Sequence, residues 1–311
     1  MSKVSVIIPH YNSPEKLIRL IDSIEDSPAV EVIIVDDKST NDISRLQDII
    51  SRRKNTLLIE NTSTKKGAGV SRNIGIDKST GEWLLFADAD DFFLQGTWEY
   101  IQKFSDSEVD IIYFAPTSIE EESFEKSDRH LIYESLVNNY LESPNLENEL
   151  SLRAEYIVPW SKMIKKSIII RNEITFDEII VSNDVMFSVK AGFYAENIHA
   201  VKYPIYCATK DTSTLSTSVS FEKYKIRTDT YIEYHKFLQN KLTRKDYLKL
   251  KIYGAGWLYR GISQDIPIKY ILKTLLVMIR NKIQIAPINF SVFSRVYQNI
   301  KSNVKEKKFL K

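Results

Sequence analysis

VSVIIPHYNSPEKLIRLIDSIEDSPAVEVIIVDD, residues 4 to 37, is the stretch that decides the fold. Its two ends, VSVIIP (4–9) and EVIIVDD (31–37), are apolar almost throughout. Such runs suit strands buried on both faces of a parallel sheet, whereas a half-solvated strand would alternate. Between them, Ser13 and Pro14 offer a helix N-cap followed by proline at the first helical position. Leu17, Ile18, Leu20, Ile21 and Ile24 then fall on one helical face. The unit reads strand, helix, strand. The same alternation continues with a helix near 41–52, a strand at 56–60, a helix near 67–78 and a strand at 82–87. Repeated units of this kind predict an α/β fold, a doubly wound and mostly parallel sheet with helices on both faces.

The 311-residue chain is 43% hydrophobic and 27% charged, which fits one large α/β domain or two domains. Residues 115–150 turn acidic and read as a loop-rich insertion or a pair of surface helices, and from 221 onward the pattern is helical and rich in Tyr and Lys. No leader-like segment precedes the first strand, so secretion is not expected. The single cysteine, Cys207, excludes an internal disulfide and a thiolate metal cluster and suits a reducing cytoplasm. Charge is unevenly spread. Residues 266–311 hold ten Lys or Arg against the single acid Glu306, leaving +9 there and −7 on the rest of a chain whose net charge is +2. That segment predicts attraction to an anionic surface, membrane phospholipid being one candidate. Its apolar run 270–279 is broken by Lys273 and is far shorter than the ~20 residues a span needs. No recognised nucleic-acid module accompanies the basic residues, so nucleic acid is not an expected partner.

In open α/β sheets ligands bind beyond the carboxyl ends of the strands. Asp36 and Asp37 follow one such end, and Asp88, Asp90 and Asp91 follow another in LLFADADDFF, residues 84–93. Three crowded carboxylates beside a core strand repel one another and are costly to desolvate. A hard divalent cation, magnesium or manganese, completed by substrate phosphates is the simplest partner. The plainer alternatives are a turn-forming loop at ADADD and a helix cap at VDDKSTND (35–42). In KKGAGVSRNIG (65–75), the GxG lacks a third glycine and does not follow the first strand, which excludes a dinucleotide-binding dehydrogenase. Gly67 and Gly69 instead allow a tight entry into a helix. Arg72 on that helix either faces the crevice or makes a surface ion pair.

Taken together, VSVIIPHYN, EVIIVDDKSTND, GAGVSRNIGI and LLFADADD resemble the family 2 inverting nucleotide-sugar glycosyltransferases of GT-A fold. VPWSKMIKKSII and SNDVMFSVKAGF resemble the acceptor half of bacterial polysaccharide- and capsule-building members, extending the likeness to about residue 220. The resemblance implies a GT-A domain over 1–220, with a nucleotide-sugar half (1–115) and an acceptor half (116–220), followed by a basic helical region at 221–311. It implies that Pro9, Tyr11 and Asp37 contact the base, that Arg72 lines the nucleotide site, and that Asp88 faces the ribose. Asp90 would bind Mn2+ or Mg2+ at the donor diphosphate, and Asp91 would only cap the segment after it. The general base would be Asp184, in a pair written Asn183-Asp184 where many relatives have Glu-Asp. Ser182, Asn183 and Asp184 could instead merely cap the next helix, where the dipole would lower the Asp184 pKa.

Trp160 is a candidate for stacking on an acceptor sugar, or for the core, and Lys162 a candidate on the acceptor side. Tyr206 is followed by Cys207-Ala208-Thr209 where many relatives continue with a basic residue, so a donor phosphate contact is either missing or supplied by Lys162, Lys165 or Lys210. The implied activity moves a sugar from a nucleoside diphosphate, UDP first, to a hydroxyl of a glycan or lipid-linked oligosaccharide in bacterial surface polysaccharide synthesis. A polyprenyl-phosphate sugar synthase and a non-catalytic nucleotide-sugar binding protein are the alternatives. The expected location is cytoplasmic, peripheral at the inner face of the cell membrane, held through the basic C-terminal region.

Overall fold

The computed structural model describes residues 3–210 and 220–286, and the chain divides into two compact units, Met1–Ser218 and Val219–Lys311. The first unit begins with β1 (Val4–His10), α1 (Pro14–Asp22), β2 (Val30–Asp36), α2 (Ser44–Ser51), β3 (Thr56–Glu60), α3 (Ala68–Lys78) and β4 (Trp83–Phe86). It continues with β5 (Phe92–Phe93), α4 (Thr97–Gln102), β6 (Ile111–Phe114), β7 (Thr117–Glu120), α5 (Leu131–Glu142) and α6 (Leu146–Glu155). β8 (Lys162–Lys165), α7 (Lys166–Arg171), α8 (Val185–Tyr194), β9 (Ile198–Val201) and β10 (Tyr206–Lys210) complete it.

The main sheet has seven strands in the order β3-β2-β1-β4-β8-β6-β9. β1 runs parallel to both β2 and β4, with Val6 opposite Val32 and Leu85, while β8 is antiparallel to β4 and β6. Burial explains the sequence pattern, because all seven residues of β2 and all four of β4 are buried. On one face Leu17, Leu20 and Ile21 of α1 and Leu46 of α2 pack with Val6, Ile8 and Leu85. On the other, Ile76 of α3, Ile168 of α7 and Phe187 of α8 pack with Ile7, Leu84 and Phe86. Gly75 lets α3 sit close to β1, since a Cβ there would lie 2.4 Å from Ile7 Cγ2. The mixed α/β, mostly parallel architecture with C-terminal helices is therefore as the sequence predicts.

Local departures have physical causes. Ser13 occupies the N-cap position of α1 with Pro14 behind it, but its side chain makes no capping bond; its N–H instead donates to His10 Nε2 at 3.2 Å. α2 starts three residues later than predicted, because Asp42 accepts from the Ser44 N–H and Asn41 donates to Asn12 O. Residues 115–150 hold β7, α5 and the start of α6, which runs on to Glu155 and opens on an Asn145 side chain that accepts from the Asn148 N–H. The three-stranded sheet β5-β10-β7 has no counterpart in the sequence reading. Its strands are short, and β5 has only two residues.

The second unit comprises α9 (Phe221–Lys241), α10 (Arg244–Lys249), α11 (Gly254–Ser263) and α12 (Ile268–Arg280). Ser220 caps α9 by accepting from the Lys223 N–H. An aromatic stack of Tyr224, Trp257 and Tyr231 joins α9 to α11, with ring centroids 5.8 and 5.0 Å apart. Among the described residues no helix is long and apolar enough to cross a membrane. Of the basic residues counted in 266–311, Arg295, Lys301, Lys305, Lys307, Lys308 and Lys311 lie outside the described residues.

Candidate active site

The parallel strands β1, β2 and β4 end side by side, so the loops after them share one crevice. The first loop is held by His10, whose Nδ1 lies 2.7 Å from Asp36 while its Nε2 accepts from the Ser13 N–H. That pattern assigns the proton to Nδ1 and makes His10 a strut. Burial pushes the Asp36 carboxyl up, but hydrogen bonds from Ser39 and His10 outweigh it and hold the group below the usual carboxylate range. Pro9 is half-buried near the end of β1. Just beyond it Tyr11 is 53% exposed, with Lys66 Nζ 5.6 Å from its ring centroid. Asp37 accepts from Asn61 Nδ2 at 2.6 Å and from the Gly67 N–H at 2.7 Å, which ties the second strand end to the start of α3.

Gly67 makes that entry at φ 123°, a conformation an L side chain avoids. Gly69 serves a different need. A Cβ there would lie 2.2 Å from the Asp177 carbonyl oxygen and 3.1 Å from Asn183 Cβ, so α3 and the segment leading to α8 touch through a missing side chain. Gly69→Ala is expected to destabilise the protein by about 1–3 kcal/mol through overpacking and to shift the segment that carries Asp184. Denaturant unfolding checks this, and stability within about 0.5 kcal/mol of wild type would show that the contact relaxes freely.

Arg72 on α3 is 4% exposed and faces the crevice. Its guanidinium donates to Asp88 Oδ1 at 2.5 Å and to Asn183 Oδ1 at 2.8 Å, and lies 5.2 Å from the Phe176 ring centroid. Asn183 thus accepts from Arg72 without adding a charge. Asp184 follows at the N-cap position of α8, yet its side chain makes no capping bond. Burial pushes its carboxyl up, Arg72 and Lys162 oppose that, and Asp88 adds to it. The expected lowering by the helix dipole is therefore outweighed by desolvation. A carboxyl raised in this way, and not used as a cap, has the character of a proton acceptor.

Asp88, Asp90 and Asp91 can bring one oxygen each within 4.8 Å of one another. Burial raises the Asp90 carboxyl and Asp88 raises it further, while Arg129 and Lys16 oppose the shift. This donor set is all hard carboxylate oxygen, the chemistry that magnesium and manganese favour, and a cation there would relieve the repulsion. Asp91 differs from the other two because it is fully buried and accepts from Tyr206 Oη and from the Thr209 N–H, both at 2.7 Å. Its role is to fasten β10 beneath the loop, which corrects the reading of Asp91 as a cap. Tyr206 completes the tie by accepting from the Asp88 N–H at 2.9 Å.

Several expectations for the acceptor and phosphate side change. Trp160 is 2% exposed and stacks on Tyr206 with ring planes 14° apart, so it belongs to the core and offers no face to a sugar. Lys162 is 1% exposed; its Nζ donates to Tyr156 O at 2.8 Å and lies 4.8 and 5.4 Å from the Tyr156 and Tyr113 rings. Burial lowers its pKa to about 7, with Asp184 pulling the other way, and a side chain so enclosed is not a solvent-side phosphate ligand. Lys165 lies beside Trp83 and Glu82, where β4 begins, away from the aspartates. Lys210 pairs with Asp128 at 2.7 Å and Glu120 at 3.4 Å.

Beyond Arg72, further positive charge comes from residues that the sequence pattern does not mark. Arg129 donates to Thr209 O, stands 4.0 Å from Asp91, and has its pKa raised by Asp91, Asp88 and Asp90 against the opposing effect of burial. Arg19 donates to Asp90 O and to both Glu121 carboxylate oxygens. Arg129 is presented by a buried network in which Ser118 Oγ lies 2.6 Å from His130 Nδ1 and accepts from Ser127 Oγ at 2.7 Å. The only signal for it in the sequence is negative, the absence of a basic residue after Tyr206.

Residues 5–172 match the family described as "Glycosyl transferase family 2". Among curated proteins the chain is 28% identical over 219 residues to the poly(ribitol-phosphate) beta-N-acetylglucosaminyltransferase TarP of Staphylococcus aureus (strain N315), covering 68% of this chain and 64% of that one. It is 26% identical over 217 residues to the poly(ribitol-phosphate) beta-N-acetylglucosaminyltransferase TarS of S. aureus (strain Mu50 / ATCC 700699), with 68% of this chain and 36% of the relative covered. The chain thus spans less than two thirds of the length of either. Among solved structures it resembles S. aureus TarS 1-349 in complex with UDP-GlcNAc, with TM-score 0.63, 23% identity, and 84% of this chain and 73% of the other covered. It also resembles the mannosyltransferase PcManGT from Pyrobaculum calidifontis in complex with GDP-Man and Mn2+, with TM-score 0.53, 14% identity, and coverage of 97% and 80%. At these identities the two structures speak for the fold.

Proposed function

The chain belongs to glycosyltransferase family 2, and from that premise we propose that it transfers a sugar from a nucleoside-diphosphate sugar, with UDP as the nucleotide, to a hydroxyl of a glycan or lipid-linked oligosaccharide in a bacterial surface polysaccharide. The transfer inverts the anomeric centre. The observation that carries this reading is the convergence of Asp37, Arg72, Asp88, Asp90 and a raised, uncapped Asp184 on one crevice at the ends of adjacent strands. The relatives point the same way: two act on poly(ribitol-phosphate), and one TarS structure holds UDP-GlcNAc.

In this reading Pro9 and Tyr11 form the wall against which the base lies, the exposed Tyr11 ring supplying a stacking face. Asp37 accepts a hydrogen bond from the base, Arg72 lines the nucleotide site, and Asp88 faces the ribose. Asp90, with Asp88 beside it, would hold Mn2+ or Mg2+, which supplies Lewis-acid neutralisation of the departing diphosphate. Arg129 adds a fixed cation on the same side. Asp184 takes the proton from the acceptor hydroxyl as the hydroxyl attacks the anomeric carbon, and the pair on the broken bond leaves with the diphosphate. Lys162 beneath it holds the base toward its ionised form. The protein works at the inner face of the cell membrane, held there through the basic segment 266–311.

Nucleotide binding isolates the donor half of the proposal. Asp37→Ala is expected to weaken UDP binding at least about tenfold, the cost of one lost hydrogen bond to a recognition group. Calorimetric titration of UDP with manganese present measures it. Equal Kd values for folded wild-type and variant proteins would remove Asp37 from the base site.

A further inference from the structure

Helix α12 is apolar on two sides, and among the described residues only one of them is packed. Ile271, Thr274 and Met278 are buried within the second unit. On the other side Ile268, Leu272, Leu276 and Ile279 are 61, 53, 55 and 55% exposed. At 3.6 residues per turn these four fall within roughly 80° of arc, a single continuous stripe. Lys269, Lys273 and Arg280 follow within roughly the next 60°, so a basic edge runs beside the apolar stripe along the helix. No Asp or Glu lies between residues 266 and 286.

We propose that this face of α12 docks on an anionic phospholipid surface, the helix lying in the plane of the headgroups. Ile268, Leu272, Leu276 and Ile279 enter the acyl boundary while Lys269, Lys273 and Arg280 sit at lipid phosphates. The inference rests on the membrane reading above and deepens it, moving the contact from a basic segment as a whole to one helix face. Soluble proteins seldom leave a row of large aliphatic side chains open to water without a partner, and an apolar stripe with a basic edge is the pattern of an interfacial helix. A span is excluded by length, since 13 residues of helix extend only about 20 Å against a hydrocarbon core of about 30 Å. A second copy docking through the same face would offer the basic edge no acid in either orientation, since none lies between residues 266 and 286. Lipid phosphate meets both halves of the stripe at once.

The test is sedimentation of the whole 311-residue chain with vesicles of phosphatidylglycerol and phosphatidylcholine in equal parts, and with phosphatidylcholine alone. Wild type is expected to bind the anionic vesicles and to bind the neutral ones weakly. Leu272→Glu with Leu276→Glu should weaken anionic-vesicle binding at least about tenfold, because two charges enter the acyl boundary. Lys269→Gln with Lys273→Gln should weaken it roughly fivefold per charge at low salt and much less at high salt. All four positions are exposed, so unchanged thermal melting is expected and serves as the folding control. Leu272→Glu/Leu276→Glu binding equal to wild type would overturn the proposal. So would loss of binding confined to a Lys305→Gln/Lys307→Gln/Lys308→Gln variant, an outcome that leaves the broader membrane reading standing on the terminal segment. Absence of anionic-vesicle binding by wild type, with stripe-dependent dimers in solution, would overturn both. None of these readouts depends on sugar transfer, so they fail or succeed independently of the proposed activity.

Discussion

Replacing Asp184 by Asn is expected to lower the turnover number by roughly 10²–10⁴-fold, the usual contribution of a positioned general base, with little change in donor KM. The amide keeps the shape of the side chain but cannot take a proton. Because the Asp184 side chain makes no capping bond, the loss would not be explained by unravelling α8. In the proposed role Asp184 acts as a carboxylate, and burial raises its pKa above the ordinary value of 3.8. Protonation therefore persists to higher pH than for a free aspartate, and the acid limb of the pH profile should lie above that value. The groups that face Asp184 are Arg72, Asp88, Lys162 and Tyr133, whose own phenol is pushed up by burial and by Asp184. Lys162→Met removes one of the two cations, so the acid limb should move further toward neutral pH while donor KM holds. Near wild-type transfer by a folded Asp184→Asn protein would remove Asp184 from its role, and a limb unmoved by Lys162→Met would make Lys162 purely structural.

The second large effect is expected at Asp90. Removing the cation with a chelator should abolish transfer, and manganese or magnesium should restore it. Asp90→Ala should lose on the order of 10²–10⁴-fold in kcat, several kcal/mol of stabilisation at the departing diphosphate, and should respond weakly to added metal. Burial and Asp88 both raise the Asp90 carboxyl, so neutralising this side chain also relieves repulsion. Asp90→Ala should therefore fold at least as well as wild type, which separates its effect from that of Asp91. At Asp91, by contrast, substitution strands the Tyr206 hydroxyl and the Thr209 N–H in the core. Full activity of wild type after exhaustive chelation would contradict the assignment of Asp90.

The sheet is legible in the sequence because its central strands are buried on both faces, which leaves runs such as VSVIIP and EVIIVDD with no regular polar alternation to confuse. The aspartates at strand ends are legible because parallel topology alone sends them to one place. The hidden parts depend on contacts far apart in sequence. Asp91 and Thr209 meet across 118 positions, and Arg19 and Thr209 across 190, so no local pattern marks β10 as the floor of the site. Arg129 sits in a polar stretch with no periodicity, and its position is set by Ser118, Ser127 and His130, none of which stands out by type. Trp160 and Lys162 mislead because residue type suggests stacking and phosphate binding, whereas burial decides that one is core and the other is enclosed against Tyr156. The Asn183-Asp184 pair is visible in the sequence as a departure from the usual acidic pair. Its consequence, a neutral partner for Arg72, emerges only from the geometry.

Whether this chain is a metal-dependent sugar transferase can be decided by screening nucleoside-diphosphate sugars for release of the nucleoside diphosphate, with manganese and without acceptor, in parallel on wild type, Asp90→Ala and Asp184→Asn. Wild type is expected to hydrolyse at least one donor, a UDP-sugar, in a metal-dependent manner, and Asp90→Ala to lose this activity. Asp184→Asn should lose transfer to an added glycan acceptor far more than it loses slow donor hydrolysis. No turnover of any nucleotide sugar by folded wild-type protein, with or without metal and acceptor, would contradict the assignment.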